Sequence, residues 1–337
     1  MMRDLLYHYT SEAGLVGIVE NDNLRATHVR FLNDWTEFRE AFAESYVRIL
    51  LDTFRAGLPE DLPPDARLLI DRMVSRRAPE ILEIIAGSDS SNETFVCSFT
   101  TASQDGADPG DRLSQWRGYA SATQGFSLGF DKNLLKARVE IDNRKAKATL
   151  QACVYDADEK NGFFEEMGRS AAARFNELRR NQVQVPSSFV TILPQPSEEY
   201  KRSAYYFLES LSRATAKFFT AAGRVKHVGF REEREWRVIF QADKQALAPI
   251  EKDGKRIEIV KFRDGQFGRT PYIEIPVGLA APETSPLRRI VVGPGAHKDE
   301  ARRTLELLLL NRGIPVSTPE TPNGVEIATS LIPFRSV

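Results

Sequence analysis

The chain has little of what builds a metal-bound or disulfide-stapled fold. Its 337 residues include 2 cysteines, Cys97 and Cys153, and 4 histidines, His8, His28, His227 and His297. Two distant cysteines, each in an apolar, strand-like run, make no disulfide framework. Reduced, buried thiols and a cytoplasmic compartment are therefore expected. No pair of Cys or His residues has zinc-ligand spacing, so no metal is expected. Charge of one sign is also lacking: 46 Lys and Arg stand against 47 Asp and Glu, for a net charge of -1. A whole-surface basic field for nucleic-acid phosphates is thereby excluded. The longest late apolar stretch, LELLLL from Leu305, is too short to span a bilayer, and the N-terminus lacks a basic segment followed by an apolar run. No membrane partner is expected. Internal repeats and low-complexity tracts are missing as well.

What is present suits a large soluble core, since the length sits near the upper limit for a single one. Leu5–Tyr9 reads as a short strand. Ser11 is placed to cap a helix whose apolar positions are Leu15, Ile18 and Val19. Asn33 or Asp34 can cap the next helix, with Phe38, Phe42 and Val47 at helical spacing. A Pro-rich connection, AGLPEDLPPDA (56–66), leads to a helical run that reaches about Ile85. Then ETFVCSFT (93–100) reads as a strand, RLSQWRGYA as a short helix and GFSLGFD as a second strand. KATLQACVY follows as a strand. Residues of about 155–225 read as a helical insertion, with one long helix from about Glu198 to Thr220. Strand character returns in EREWRVIFQ (233–241), RIEIVKF, TPYIEIPV and LRRIVVGP, and a last helix ends at Gly313. The fold class expected is α+β.

Three stretches can carry chemistry. In LYHYTS, His8 stands between hydroxyl-bearing residues at a strand end that runs into a helix, a place where polar chemistry collects. The plain alternative is a core histidine before an ordinary helix cap. In DRLSQWRGYA, Trp116, Arg117 and Tyr119 lie close together, and planar guanidinium and aromatic groups suit a nucleotide. Alternatively, Trp116 and Tyr119 anchor the helix while Arg117 is solvated. In KHVGFREEREWRVIF, three glutamates and three arginines lead into a β-branched strand. Side-chain alternation would put Glu233 and Glu235 on one face, with Arg231, Arg234 and Arg237 to compensate them. The alternative is a charged strand end that blunts an edge.

Together with NDWTEF, VVGPGAHKDE and the terminal IPFR, these stretches resemble a widespread bacterial family catalogued as domain of unknown function 2971. The quoted motifs run from the first strand to the last residues. The order of features is also similar, at a greater distance, to the ADP-ribosyltransferases, which split NAD and transfer ADP-ribose. That resemblance implies one mixed β core over 1–337 with surrounding helices and the insertion at about 155–225. It further implies that His8, with Thr10 beside it, holds a ribose of NAD. Ser98, Phe99 and Thr100 take the place of a Ser-Thr-Ser strand motif, and Glu233 and Glu235 form a Glu-x-Glu pair with Glu235 catalytic. CSFT departs from that motif, so Phe99 or Tyr119 has to serve as the nicotinamide stacker, and Arg117 would meet the pyrophosphate. A macromolecular acceptor, protein or nucleic acid, and a role as toxin or anti-phage defence effector are implied. The rival is a non-catalytic nucleotide-sensing, nucleic-acid- or protein-binding module. Lys201, Arg202, Arg213, Lys217, Arg224 and Lys226 would supply its basic surface.

Overall fold

The computed structural model describes residues 4–32, 44–76, 93–102, 106–119, 124–142, 146–187, 197–265, 268–281 and 283–333. In chain order its elements begin with β1 (Leu5–Ser11), α1 (Glu12–Asn21), β2 (Asn23–His28), α2 (Glu44–Ala56), α3 (Pro64–Arg76), β3 (Glu93–Thr100) and α4 (Leu113–Tyr119). They continue with β4 (Gly125–Asp131), α5 (Lys132–Val139), β5 (Ile141–Asp142), β6 (Ala146–Ala152), α6 (Ala157–Arg180), α7 (Glu198–Ala222) and β7 (Glu235–Ala242). Last come β8 (Ile250–Lys252), β9 (Lys255–Ile257), β10 (Val260–Gly265), β11 (Gly268–Pro276), β12 (Leu287–Val292), α8 (Lys298–Asn311) and β13 (Glu326–Thr329).

The chain divides into two compact units. One comprises Met1–Leu32, Phe95–Cys153 and Gly229–Val337; the other comprises Asn33–Thr94 and Val154–Val228. The first is built on a predominantly antiparallel sheet in the order β10-β11-β2-β3-β1-β4-β12-β13, with β7 branching from β3 and carrying β6 and β5. The α+β class is borne out. The strands that hold His8, Cys97 and Val238 all belong to this sheet. One face of it carries Leu6, Phe99, Leu128, Phe130, Val238 and Ile290 into a core that Leu15, Ile18 and Val19 of α1 complete. Ser11 accepts from the backbone N–H of Gly14 at 3.3 Å, which is the predicted cap. Gly313, at φ +66, ends α8 in the left-handed region where its missing Cβ matters.

The second unit is helical. The predicted insertion at about 155–225 covers α6 and α7, but α2 and α3 belong to the same unit, so it is assembled from two separated stretches of chain. Its core sets Phe54 edge-on to Phe175 and Phe207. Gly168 lets α6 lie close to α2, because a Cβ there would stand 2.4 Å from the Leu50 carbonyl oxygen. The helix expected after Asn33, with Phe38 and Phe42, and the run beyond Arg76 to Ile85 lie outside the described residues. RIEIVKF is two strands, β9 and β10, rather than one. Both cysteines are free and buried, and burial pushes the Cys97 thiol up to about 12, so it is no nucleophile. Among the described residues no helix is long and apolar enough to cross a membrane.

Candidate functional site

His8 sits where the sheet parts. β1 pairs with β4 along its whole length, from Leu5 opposite Asp131 to Ser11 opposite Gly125. It meets β3 at a single pair, Tyr7 opposite Thr100. Beyond that pair the His8 ring reaches across, and Nδ1 lies 2.9 Å from the Ser98 carbonyl oxygen. A carbonyl can only accept, so Nδ1 carries the proton and Nε2 keeps its lone pair. Burial lowers the His8 pKa, the Ser98 bond opposes that shift and the charge of Arg263 adds to it. The imidazole is neutral. The unfolded chain therefore takes up a proton near pH 6.5 that the folded chain refuses. Stability contributed by the neutral ring is full above that pH and lost below it, at up to about 1.4 kcal/mol per pH unit. Denaturant titrations between pH 5 and 8 should show this slope in the wild type and a flatter one in His8→Gln.

Around His8 lies a pocket of about 340 Å³, its open mouth included. It is lined by Tyr7, His8, Tyr9, Ser98, Phe99, Thr100, Gln115, Tyr119, Glu233 and Glu235. Of the nine residues expected at a site, seven therefore meet in one place: His8, Ser98, Phe99, Thr100, Tyr119, Glu233 and Glu235.

Glu235 opens β7 and is only 4% exposed. Both its oxygens are held by Arg237, through Nε at 2.7 Å and Nη2 at 3.2 Å. Alternation along the strand puts 235 and 237 on one face, which is why this pair forms. The same argument fails for Glu233. Val228–Glu233 is a 3₁₀ segment, and Arg234 turns the chain into β7 at φ +43. Glu233 reaches the pocket through that turn, not through strand alternation. Three contacts fasten the turn beside β3. The Thr100 hydroxyl donates to the Glu233 carbonyl, Arg112 Nη1 to the Glu232 carbonyl at 2.8 Å, and Arg234 Nη1 to the Ala102 carbonyl at 3.1 Å. The Thr100 proton is thus committed to the backbone.

Two expected residues are not in the pocket. Arg117 is exposed on α4, outside the lining, because the seven-residue helix turns Gln115 and Trp116 inward instead. Thr10 packs on α1: a Cβ on Gly14 would stand 1.9 Å from its Oγ1, so the threonine occupies the space that glycine leaves. Phe99 forms one wall but also belongs to the core, edge-on to Phe130 at 5.9 Å. Tyr119, 41% exposed, is the accessible ring at the mouth. Trp116 is an anchor. Its indole N–H donates to Asp111 at 2.8 Å and its ring meets Tyr9 edge-on at 4.6 Å. Trp116→Ala should cost about 3–5 kcal/mol in denaturant unfolding, the usual loss for a buried indole.

Gln115 is the residue that sequence reasoning passed over. It is 5% exposed, lines the pocket, and among the described residues no group bonds its side-chain amide. Its amide is left open to the pocket, where a bound group can satisfy it. The only signal in the sequence was its place one residue before Trp116 on a short helix.

The basic positions of the second unit do not form one solvated face. Lys226 is fully buried, Arg224 lies over the Phe163 ring at 5.4 Å, and Lys201 is paired with Glu198 at 2.7 Å. Arg202 is exposed. The side chains of Arg213 and Lys217 lie outside the described residues.

Residues 115–238 match the model of a family described as protein of unknown function (DUF2971). The matched segment holds Gln115, Tyr119, Glu233, Glu235 and Arg237, while His8 and Ser98–Thr100 precede it. No curated protein and no solved structure shows a significant match to the chain.

Proposed function

We propose that this chain is an ADP-ribosyltransferase-like enzyme with NAD as its substrate. It would cleave the bond between nicotinamide and ribose and pass ADP-ribose to a macromolecular acceptor, a protein or a nucleic acid. The observation that carries this reading is the convergence of His8, the Ser98–Thr100 strand end and Glu233–Glu235 on one pocket, from three distant parts of the chain. Their chemical states suit a ribose. The Nε2 lone pair of neutral His8 and the remaining lone pairs of Glu235 accept from hydroxyls, and the Gln115 amide can both donate and accept. When the glycosidic bond breaks, its electron pair leaves with nicotinamide and positive charge spreads over C1′ and the ring oxygen. A carboxylate fixed beside that centre stabilises the charge. The acceptor nucleophile then bonds to C1′ and yields its proton to Glu233. Tyr119 offers a ring at the mouth on which nicotinamide can stack. A role as toxin or defence effector belongs to the same proposal.

Incubation with NAD labelled in its adenylate half, together with protein and nucleic-acid acceptors, tests the reading. Release of nicotinamide with transfer of label is expected. Release without transfer makes water the acceptor. One observation favours a second reading, a non-catalytic nucleotide sensor on the same fold: the Arg237 clamp takes up both oxygens of Glu235. A sensor would show a melting temperature that rises with NAD concentration, by mass action, with no nicotinamide released.

A further inference from the structure

Among the described residues the His8 pocket has no cation placed to take a phosphate, since Arg117 lies outside its lining and Arg237 is spent on Glu235. Two arginines with no carboxylate partner among the described residues stand on a neighbouring part of the same sheet. The β2–β11 and β11–β10 registers set Arg25 opposite Glu274, Thr27 and Lys261 opposite Tyr272, and Arg263 opposite Thr270. Cross-strand partners share a face, so Asn23, Arg25, Thr27, Lys261, Arg263, Thr270, Tyr272 and Glu274 lie on one side. Glu274 is the one carboxylate among them, and it is taken by Lys261 Nζ at 2.6 Å and Asn23 Nδ2 at 3.3 Å. Arg25 lies against the face of the Tyr272 ring, 5.1 Å from its guanidinium carbon, and Arg263 donates to the Thr27 hydroxyl at 3.0 Å. Among the described residues no carboxylate pairs with either arginine.

We propose that Arg25 and Arg263, with Thr27, form an anion subsite for the phosphate groups of a nucleotide whose ribose occupies the His8 pocket. This rests on the NAD reading and names the groups that would meet its pyrophosphate. Two guanidiniums on one face repel each other, and an anion between them turns that repulsion into attraction. Planar forks with several unused N–H donors match phosphate oxygens better than they match anything else on the sheet. The subsite also lies within electrostatic reach of the pocket. Desolvation first, and then the charge of Arg25, lower the Arg263 pKa, while Arg263 in turn acts on His8 and Cys97.

The test is calorimetric titration of the whole chain with inorganic pyrophosphate, ADP-ribose and adenosine, for wild type, Arg263→Gln and Arg25→Gln/Arg263→Gln. Wild type should bind pyrophosphate and ADP-ribose, more weakly as salt is raised. Arg263→Gln should weaken both by roughly ten- to hundredfold, the share of a charge-assisted bond, and leave adenosine unchanged. Arg263 is exposed, so the single variant decides the matter if the double variant does not fold. Unchanged pyrophosphate binding in Arg263→Gln, or no binding by wild type, overturns the subsite. Intact pyrophosphate binding in a protein that never releases nicotinamide leaves the subsite standing and overturns NAD cleavage instead.

Discussion

Glu235→Gln is expected to reduce nicotinamide release from NAD by roughly a hundred- to thousandfold while NAD binding changes little, because the lost interaction is with charge that exists only near the transition state. The structure adds a complication that the bare sequence does not show. Glu235 is also the counter-charge of buried Arg237, so the single change strands a guanidinium and should lower stability by about 3–5 kcal/mol. Turnover and folding therefore have to be separated. Glu235→Gln/Arg237→Met removes both charges, leaves no stranded ion, and should melt near the wild-type temperature. If that well-folded double variant has lost nicotinamide release by the same factor, the loss belongs to chemistry. Wild-type turnover in it would reduce Glu235 to half of a structural pair, and the sensor reading would take over.

Arg237→Ala should be strongly destabilising, by about 3–5 kcal/mol in denaturant unfolding. Arg237 and Glu235 are 6% and 4% exposed, so neither charge can turn to water when its partner is removed. The carboxylate then faces a space that the guanidinium had filled, and the cavity adds to the electrostatic cost. A double-mutant cycle between Arg237→Ala and Glu235→Gln should return a large coupling, with the double variant costing far less than the sum of the singles. Additive effects would mean that the two side chains do not depend on each other, contrary to the bidentate geometry. The pair also has a positional consequence: the fork fixes the carboxylate in one rotamer, as a catalytic group needs and as a purely solvated Glu would not be.

Local pattern was enough wherever a segment's own residues dictate its form. ETFVCSFT and GFSLGFD are strands at their predicted bounds, since β-branched and aromatic runs between turn residues have no helical alternative. The Ser11 cap, the long helix from Glu198 and the stop at Gly313 were legible for the same reason. So were the reduced cysteines. Candidate site residues carried on strands, His8, Ser98 and Glu235, could be picked out by type and order along the chain.

What could not be read locally depends on partners far away in the chain. Glu233 was assigned to a strand face because REERE continues EWRVIF without a break in composition, but the positive φ at Arg234 is imposed by the contacts that fasten the turn to β3. Arg117 and Gln115 differ by two positions on one short helix, and only the packing of Trp116 against Tyr9 decides which of them turns inward. The arginines that meet no carboxylate among the described residues follow from a register that sets β2 against a strand some 250 residues later, which no window on the sequence spans. The sequence alone determined the elements and most of the reactive groups, because backbone preference and side-chain type are properties of neighbours. Tertiary structure alone decided which groups face one another and which remain without a counter-charge, because burial and electrostatics depend on distance in space rather than along the chain.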